Sequence, residues 1–322
     1  MGTSRILITG ANGFVGRHLA RRIAEGGDTA LGLGIDQAPE DPTPLAAWWT
    51  ADLVDEAGLR LALSEARPDA IVHLAAQSSG ALSLERPVDT YRVNALGTLS
   101  LLAAVRATAK EARVLVIGTG EVYGALADGT RVAEDAPLHP VSPYGLSKAA
   151  ADVIAESCAP MWDLDVVRVR AFGHFGPGQR EHFFVPSVAR QIAEIESSGG
   201  EPVLRVGNLD VTRDLTDVRD VVEAYLALLE RGRSGAAYNV CRGQGIRLAD
   251  LVAALGERAR RPIRIEVDPA RVRPADLRYL VGDPSAILRD TGWKATIPLA
   301  KTLDEVLEEW RGRATGVAPH DR

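Results

Sequence analysis

The sequence has few of the residues that build disulfide frameworks or metal centres. Its 322 residues include only two cysteines, Cys158 and Cys241, which lie far apart in the chain. That spacing excludes a disulfide framework and a cysteine-rich zinc site, and it fits a reducing compartment. The six histidines are scattered without HxH or HxxxH spacing. We therefore expect no bound metal.

Long apolar runs and a surplus of positive charge are also missing. Charged or turn residues interrupt every apolar stretch before about 18 residues, so the sequence predicts no membrane span and no signal peptide. The net charge of −6 excludes a broad basic surface for nucleic acid. We therefore expect a cytoplasmic protein that holds anionic ligands with local arginines and helix N-termini.

The sequence does contain a repeated alternation of strand-like and helix-like patterns. This order predicts an α/β fold, with a doubly wound parallel sheet of the Rossmann type covered by helices on both faces. We expect a cofactor domain over residues 1–170, a smaller C-terminal α/β substrate-binding lobe over 171–315 with chain crossings, and a frayed tail over 316–322. The predicted strands of the first half are Arg5–Thr9, Leu31–Ile35, Ala70–Leu74, Val114–Ile117 and Val166–Val169, and the predicted helices are Gly16–Glu25, Asn94–Thr108 and Pro143–Glu156.

A glycine-rich turn follows the first predicted strand and opens the first predicted helix. Its sequence, Gly10-Ala-Asn-Gly-Phe-Val-Gly16, has GxxGxxG spacing. Glycines permit a tight turn and close backbone approach, so a pyrophosphate can sit against the free N–H groups and positive dipole of the helix N-terminus. The pattern predicts binding of NAD(H) or NADP(H). The residues assigned to it are Gly10, Asn12, Gly13, Phe14, Val15 and Gly16.

An acidic residue ends the second predicted strand. Asp36 lies 20 residues after Gly16, where an acid takes the ribose hydroxyls of the adenosine. A carboxylate at this place repels a 2′-phosphate, and residues 37–42 contain no Arg or Lys to hold one. We therefore expect NAD(H) in preference to NADP(H). The alternative for Asp36 is a plain loop carboxylate.

A tyrosine and a lysine lie four residues apart on a predicted helix. Tyr144 and Lys148 share one helix face. A phenol is a weak catalyst at neutral pH, so we expect Lys148, with the positive nicotinamide ring, to lower the pKa of Tyr144. Thr119, at the end of the preceding strand, can hydrogen-bond the same substrate oxygen. Glu121 is either a base, a polar anchor or a loop carboxylate that caps a neighbour.

These residues together resemble the extended short-chain dehydrogenase/reductase superfamily, whose members act on nucleotide sugars. The resemblance covers nearly the whole chain, and includes the glycine turn, Asp52-Leu53, His73-Leu-Ala-Ala76, Asn94, Thr119 and the Tyr144/Lys148 pair. It implies that Asp52 and Leu53 lie by the adenine and that Lys148 also binds the nicotinamide ribose. It further assigns to the cofactor Leu74, Ala75, Ala76, Asn94 and Tyr144. Gln77 and Ser78, which follow, are assigned to the substrate.

Segments of the second half resemble GDP-4-keto-6-deoxy-mannose reductases and the related GDP-mannose 4,6-dehydratases. Such enzymes usually carry Asn where this chain has Gly173, so a substrate hydrogen bond is either missing or supplied by His174. Arg213 and Arg273 suit a diphosphate, because guanidinium forks match phosphate oxygens, and Asp276 can take a ribose hydroxyl pair. The alternatives are surface ion pairs for the arginines and a packed loop position for His174. The segments concerned are 172–179, 206–218, 238–241, 273–276, 282–285 and 291–294.

The resemblance implies hydride transfer at C4 of a nucleoside diphosphate hexose, with a GDP-hexose as the expected ligand. The main expectation is reduction of a GDP-4-keto-6-deoxyhexose to a GDP-rhamnose-type product, with Tyr144 as proton donor. The first alternative is a 4,6-dehydratase or 4-epimerase that recycles tightly bound NAD, which Glu121 and Asp36 also fit. An alternative of another class is a non-catalytic NAD-sensing protein, which has no need for Thr119, Tyr144 and Lys148 together.

The sequence also predicts a homodimer. The helical segments Asn94–Thr108 and Pro143–Glu156 are rich in Ala and Leu, beyond what one sheet-facing stripe needs. In the superfamily that the chain resembles, such helices pair across a two-fold axis, which gives an isologous interface.

Overall fold

The computed structural model describes residues 3–39, 43–199, 201–272 and 277–316. The strands are β1 (Arg5–Thr9), β2 (Thr29–Gly34), β3 (Ala47–Thr50), β4 (Ala70–His73), β5 (Arg113–Thr119), β6 (Val166–Ala171), β7 (Gly173–Phe175), β8 (Val203–Val206), β9 (Thr212–Asp217), β10 (Ala237–Val240), β11 (Gly245–Arg247), β12 (Arg264–Val267) and β13 (Tyr279–Leu280). The α-helices are α1 (Phe14–Glu25), α2 (Glu56–Ala66), α3 (Gly80–Glu85), α4 (Pro87–Tyr91), α5 (Gly97–Thr108), α6 (Pro143–Trp162), α7 (Phe184–Ser198), α8 (Val218–Arg231), α9 (Leu248–Glu257), α10 (Ser285–Thr291) and α11 (Leu299–Ala314). A π-helical turn spans Arg92–Leu96, and 3-10 turns span Gly120–Tyr123 and Pro269–Arg271.

Seven strands form one sheet in the order β3-β2-β1-β4-β5-β6-β10, and all of its strand pairs are parallel. On one face an apolar cluster joins the sheet to α1, α8 and α10, and on the other face a second cluster joins it to α2, α5 and α6. Because both faces are covered, the strand sequences are nearly continuous apolar runs. The predicted doubly wound Rossmann sheet is confirmed.

β1 and β4 lie side by side in the sheet, but the chain continues from β1 toward one edge of the sheet and from β4 toward the other edge. The strand order therefore reverses between these two strands. In open parallel sheets, ligands bind outside the carboxyl ends of the strands at such a point. Gly10 follows β1 and Leu74 follows β4, so both lie at the mouth of the crevice. Thr119 ends β5 at the same edge of the sheet.

The chain after β6 contributes both to the large sheet and to a smaller layer. β10 pairs with β6, so residues 237–240 return to the large sheet. In the smaller layer, β9 pairs with β7, β11 and β13, while β8 pairs with β12. α7, α9 and α11 pack around these strands in a third apolar cluster. The tail expected over 316–322 lies, except for Gly316, outside the described residues.

Some boundaries differ from the sequence-based expectation. The helix expected from Asn94 begins as the π-helical turn, and α5 starts only at Gly97. β2 ends at Gly34, before the expected Ile35. β3 and α2 are absent from the expectation; β3 is a four-residue edge strand with two adjacent tryptophans and no apolar alternation. Across the part of the chain that the structure describes, no helix has the length and apolarity to cross a membrane.

Candidate active site

The glycine turn between β1 and α1 brings backbone segments closer together than side chains would permit. Gly10 has a φ of +71°, and a Cβ on it would lie 3.0 Å from the backbone of Ala75. A Cβ on Gly16 would lie 2.5 Å from the Gly10 carbonyl oxygen. The N-cap residue Gly13 gives no side-chain hydrogen bond to the first turn of α1, which Phe14 and Val15 begin. The N–H groups of that turn are left for an anion and fit a dinucleotide pyrophosphate.

The end of β2 brings a residue of the glycine turn near the acid expected at the adenosine ribose. The side-chain oxygen of Asn12 lies 3.8 Å from the place that a Cβ on Gly34 would take. Asp36 follows Gly34 by two residues and is exposed. The structure therefore brings Asn12 and Asp36 to neighbouring positions at the carboxyl end of β2.

A cavity of about 310 Å³ opens beside the end of β3. Asp52 and Gln77 both line it, so the residue expected at the substrate lies next to the one expected at the adenine. The Gln77 side chain is held within its own loop, because its amide donates to the Ser79 carbonyl at 3.1 Å and to Thr90 Oγ1 at 2.9 Å. Leu53 is buried against Gly97, and Ser78 is exposed. The remaining lining residues are Val54, Leu82, Arg86, Asp89, Thr90, Arg92 and Val93.

A buried histidine anchors the loop after β4. His73 Nδ1 lies 2.8 Å from Thr9 Oγ1, and His73 Nε2 lies 3.1 Å from Thr98 Oγ1. Thr98 donates its own proton to the Asn94 carbonyl, so Nε2 carries the ring proton and Nδ1 accepts from Thr9. Burial lowers the pKa of His73 to about 3, so the ring is neutral. Thr9 Oγ1 in turn accepts the Ala75 N–H at 3.1 Å, which fixes the start of the loop.

Asn94, which the resemblance assigns to the cofactor, joins this loop to the catalytic helix. Its Oδ1 accepts the Gln77 N–H at 2.8 Å, and its Nδ2 donates to the Gln77 carbonyl at 3.0 Å and to Ser147 Oγ at 2.9 Å. Ser147 then donates to the Tyr144 carbonyl at 2.7 Å. Both amide protons of Asn94 are thus used within the protein. Asn94 therefore positions both the loop after β4 and α6, which form two walls of the cleft. It lies in a π-helical turn, and such turns are frequent at functional sites.

The predicted catalytic pair lies near the N-terminus of α6. Ser142 caps this helix by accepting the Gly145 N–H at 3.0 Å, and Pro143 occupies its first position. Tyr144 and Lys148 follow on one face of the helix. The helix start is therefore fixed locally, as the sequence pattern predicts.

Lys148 is held against the end of β5. Its side chain is only 5% exposed, and Nζ donates to the Ile117 carbonyl at 2.5 Å. Burial lowers the pKa of Lys148 from 10.5 to about 8, while the carboxylate of Asp152 acts in the opposite direction. Lys148 is therefore mainly an ammonium at neutral pH.

The sequence predicts that Lys148 and the nicotinamide ring together lower the pKa of Tyr144, and the surroundings of Tyr144 in the chain alone act in the opposite direction. Burial raises the pKa of Tyr144 above its usual value, the charge of Glu121 raises it further, and a hydrogen bond with Thr119 lowers it. Burial dominates in the chain alone, because the Lys148 ammonium is bonded to Ile117. The geometry brings Thr119, Glu121, Tyr144 and Lys148 to one edge of the sheet. The phenol is protonated there at neutral pH and suited to donate a proton.

A buried ion cluster that the sequence analysis did not predict holds α6 in place. Asp152, one turn after Lys148, accepts hydrogen bonds from Arg168 at 2.7 Å and from Arg170 at 3.0 and 3.2 Å. Arg170 also donates to the Tyr123 hydroxyl at 2.9 Å, in the 3-10 turn that contains Glu121. The cluster ties α6 to β6 and to the turn after β5. The signal in the sequence was an acid four residues beyond Lys148, facing two arginines that alternate along an apolar strand.

The His174 region lies beside the start of α1. The His174 ring stacks on Phe14 with centroids 6.3 Å apart, and its Nδ1 lies 3.0 Å from the Phe172 carbonyl oxygen. Burial lowers the pKa of His174, so the ring is neutral. A Cβ on the exposed Gly173 would lie 2.7 Å from Leu215 Cδ2, so an asparagine there would require Leu215 to move.

The residues expected at the diphosphate are only partly described. Arg213 lies on β9 opposite Ile246, is half-buried, and donates to the Thr212 carbonyl at 3.0 Å. Arg273 and Asp276 lie outside the described residues. Within the described ranges, no group of three or more His, Cys, Asp or Glu side chains could hold a metal ion.

A parallel Rossmann sheet with a glycine turn after β1 and a Tyr/Lys pair at its carboxyl edge defines a nicotinamide-dependent enzyme of the extended short-chain dehydrogenase type. The family described as GDP-mannose 4,6 dehydratase matches residues 7–306, and the chain belongs to this family. A GDP-6-deoxy-D-mannose reductase of Pseudomonas aeruginosa is 36% identical over 318 residues, which cover 97% of this chain and 98% of the relative. A GDP-mannose 4,6-dehydratase of Vibrio cholerae is 29% identical, over 95% of this chain and 93% of the relative.

Solved structures give the same assignment and indicate the class of cofactor. RMD from Pseudomonas aeruginosa, complexed with NADPH, superposes with a TM-score of 0.86 at 35% identity and covers 97% of this chain and 100% of that one. The UDP-glucose 4-epimerase of Thermus thermophilus, in complex with NAD, superposes with a TM-score of 0.85 at 29% identity and covers 96% and 99%. Together with the fit of the glycine turn, these neighbours support a nicotinamide dinucleotide as the cofactor.

Proposed function

We propose that the chain reduces a GDP-4-keto-6-deoxyhexose to a GDP-6-deoxyhexose of the GDP-rhamnose type, with NADH as reductant. The observation that carries this proposal is the placement of Tyr144, hydrogen-bonded with Thr119, at the sheet edge that also holds Lys148. The similarity to the reductase of Pseudomonas aeruginosa supports the choice of substrate.

The residues have separate tasks in this reaction. The nicotinamide, when bound, supplies a hydride to C4 of the sugar. Tyr144 donates its proton to the C4 oxygen, and its raised pKa keeps that proton in place until the oxygen becomes basic. Thr119 polarises the C4 carbonyl by a hydrogen bond, and the ammonium of Lys148 stabilises the phenolate that is left on Tyr144.

NAD(H) is the proposed cofactor in preference to NADP(H). Asp36 is exposed at the end of β2, where its carboxylate would repel a 2′-phosphate. The sequence has no Lys or Arg between Arg22 and Arg60, so this region offers no cation of its own for such a phosphate. Steady-state kinetics with NADH and NADPH test the proposal, and a wild-type preference for NADPH contradicts it.

Arg213 is the proposed partner of the substrate's diphosphate. The protein carries a net charge of −6, so an anionic substrate has to be bound by local cations. Arg213 is half-buried on β9, in the smaller layer that adjoins the carboxyl edge of the large sheet. We assign Arg273 and Asp276 to the same ligand on the resemblance alone.

The second candidate is a 4,6-dehydratase that recycles its NAD. Glu121 fits it, because this carboxylate acts electrostatically on Tyr144 and a dehydratase needs a base, although reductases of this type can also carry an acid at this place. The Vibrio cholerae relative carries the dehydratase name. A nucleotide-sugar 4-epimerase, the function named for the Thermus neighbour, needs the same NAD recycling.

One experiment separates these candidates. The purified protein is incubated with GDP-, UDP-, dTDP- and CDP-sugars, including a 4-keto-6-deoxy sugar, with and without added NADH or NADPH, and products are identified by mass spectrometry. A reductase consumes reduced cofactor and gains two mass units on the keto sugar. Loss of water without cofactor consumption identifies a dehydratase, and an isobaric product identifies an epimerase.

We also propose that the protein forms a homodimer through α5 and α6. Five large apolar side chains of these elements and the adjoining π-helical turn are at least about one-third exposed, namely Leu96, Leu99, Leu146, Val153 and Met161. Leu146 and Val153 are spaced by seven residues, which places them on one helix face. Pairing of these faces across a two-fold axis would cover them.

A further inference from the structure

Two glycines of β2 are covered by one tryptophan of the neighbouring strand. Gly32 and Gly34 point to the same face of the sheet, and Trp48 is in register with Gly32 on β3. A Cβ on Gly32 would lie 2.5 Å from the Trp48 ring, and a Cβ on Gly34 would lie 2.7 Å from it. The absence of both side chains therefore lets the indole lie flat against the backbone of β2.

The same indole reaches beyond the end of the strand. Trp48 Nε1 donates to the Asp36 carbonyl at 3.1 Å, and the hydroxyl of Thr50 donates to the same oxygen at 3.2 Å. Trp48 Nε1 also lies 3.3 Å from Thr50 Oγ1. The backbone of Asp36 is therefore fixed by two side chains of β3, two residues after β2 has ended at Gly34.

These hydrogen bonds fix the backbone from which the Asp36 side chain extends. Asp36 itself is exposed. Asn12, whose side-chain oxygen lies 3.8 Å from the place that a Cβ on Gly34 would take, belongs to the glycine turn that fits the pyrophosphate. A shift of the Asp36 backbone would move the carboxylate relative to that turn, and hence relative to the adenosine ribose.

We propose that Trp48 and Thr50 are specificity-determining positioning residues, which hold Asp36 at the ribose 2′ position and thereby set the preference between NAD(H) and NADP(H). The inference rests on the proposed cofactor role of Asp36. Because one neutral hydrogen bond typically contributes a few-fold to an equilibrium, we expect Trp48→Phe to reduce the NADH-over-NADPH affinity ratio by about threefold to tenfold.

Isothermal titration of the folded apo protein with NADH, NADPH and nicotinamide mononucleotide (reduced) measures this ratio without turnover. Trp48→Phe keeps an aromatic ring over the glycines but removes the N–H donor. The matched control is Trp49→Phe, because the Trp49 Nε1 donates to Glu65 at 2.8 Å and its ring packs with the apolar cluster of the opposite sheet face. The control should leave the ratio within about twofold, and the mononucleotide should bind all variants alike.

A double-mutant cycle with Asp36→Ala isolates the coupling. The proposal requires that Trp48→Phe has no further effect on the ratio once the carboxylate is gone. The proposal is overturned if Trp48→Phe leaves the NADH-over-NADPH affinity ratio unchanged in the protein that retains Asp36. It is also overturned if Trp48→Phe still changes this ratio in the Asp36→Ala variant. If Trp48→Phe unfolds the protein, Thr50→Val removes the other donor and must shift the ratio in the same direction. A wild-type preference for NADPH would contradict the proposed cofactor. The inference about Trp48 and Thr50 is decided by the double-mutant cycle alone.

Discussion

Replacing Lys148 with methionine should stabilise the apo protein while abolishing most of its activity. Lys148 is only 5% exposed, and its ammonium has the Ile117 carbonyl as hydrogen-bond partner. Burial lowers the pKa of Lys148 from 10.5 to about 8 although the Asp152 carboxylate opposes that shift. Methionine is similarly long and unbranched, and it carries no charge that must be desolvated.

The magnitude follows from the pKa. A change from 10.5 to about 8 corresponds to about 3 kcal/mol of destabilisation by the buried ammonium. Because the pKa of Lys148 is lower in the folded state, this cost is fully present below pH 8, decreases as the pH rises toward 10.5, and vanishes above it. Loss of the hydrogen bond to Ile117 costs about 1–2 kcal/mol. The net expectation is a gain of about 1–2 kcal/mol at pH 7.

Urea unfolding of both apo proteins at pH 7 and pH 9.5 measures this difference. The free energy of unfolding of Lys148→Met, relative to that of the wild type, should fall by about 2 kcal/mol between pH 7 and pH 9.5. Lys301→Met is the control, because Lys301 is 61% exposed on α11 and its change should add no such pH dependence. A Lys148→Met protein that is less stable at pH 7, by an amount independent of pH, would refute the reasoning.

Three further outcomes follow from the proposed site. Tyr144→Phe should lower kcat by at least about a hundredfold with cofactor affinity retained, and near-normal turnover in steady-state assays would remove Tyr144 from the chemistry. Arg213→Ala should raise the dissociation constant for GDP roughly tenfold to a hundredfold in isothermal titration and leave that for NADH unchanged, whereas wild-type GDP binding would place the diphosphate elsewhere. Leu146→Glu should convert a dimer to a monomer in sedimentation at micromolar concentration, and a wild-type protein that already sediments as a monomer would contradict the proposed interface.

The sequence determined those features that depend on residues close together in the chain. The β1–glycine turn–α1 unit follows from local apolar periodicity and from glycines at which a Cβ would lie within 3.0 Å of neighbouring backbone. The pairing of Tyr144 with Lys148 follows from helical spacing, and the start of α6 follows from Ser142 and Pro143. Buried parallel strands are also readable, since two-sided burial leaves continuous apolar runs.

Only the tertiary structure decided what surrounds these residues. In the chain alone, burial and the charge of Glu121 raise the pKa of Tyr144, while Lys148 is bonded to a strand. Asn94 is directed to Gln77 and Ser147, and the indole of Trp48 reaches the Asp36 carbonyl across a strand boundary. Such contacts join segments that are distant in sequence, and their desolvation depends on the whole packed sheet, so no local pattern determines them.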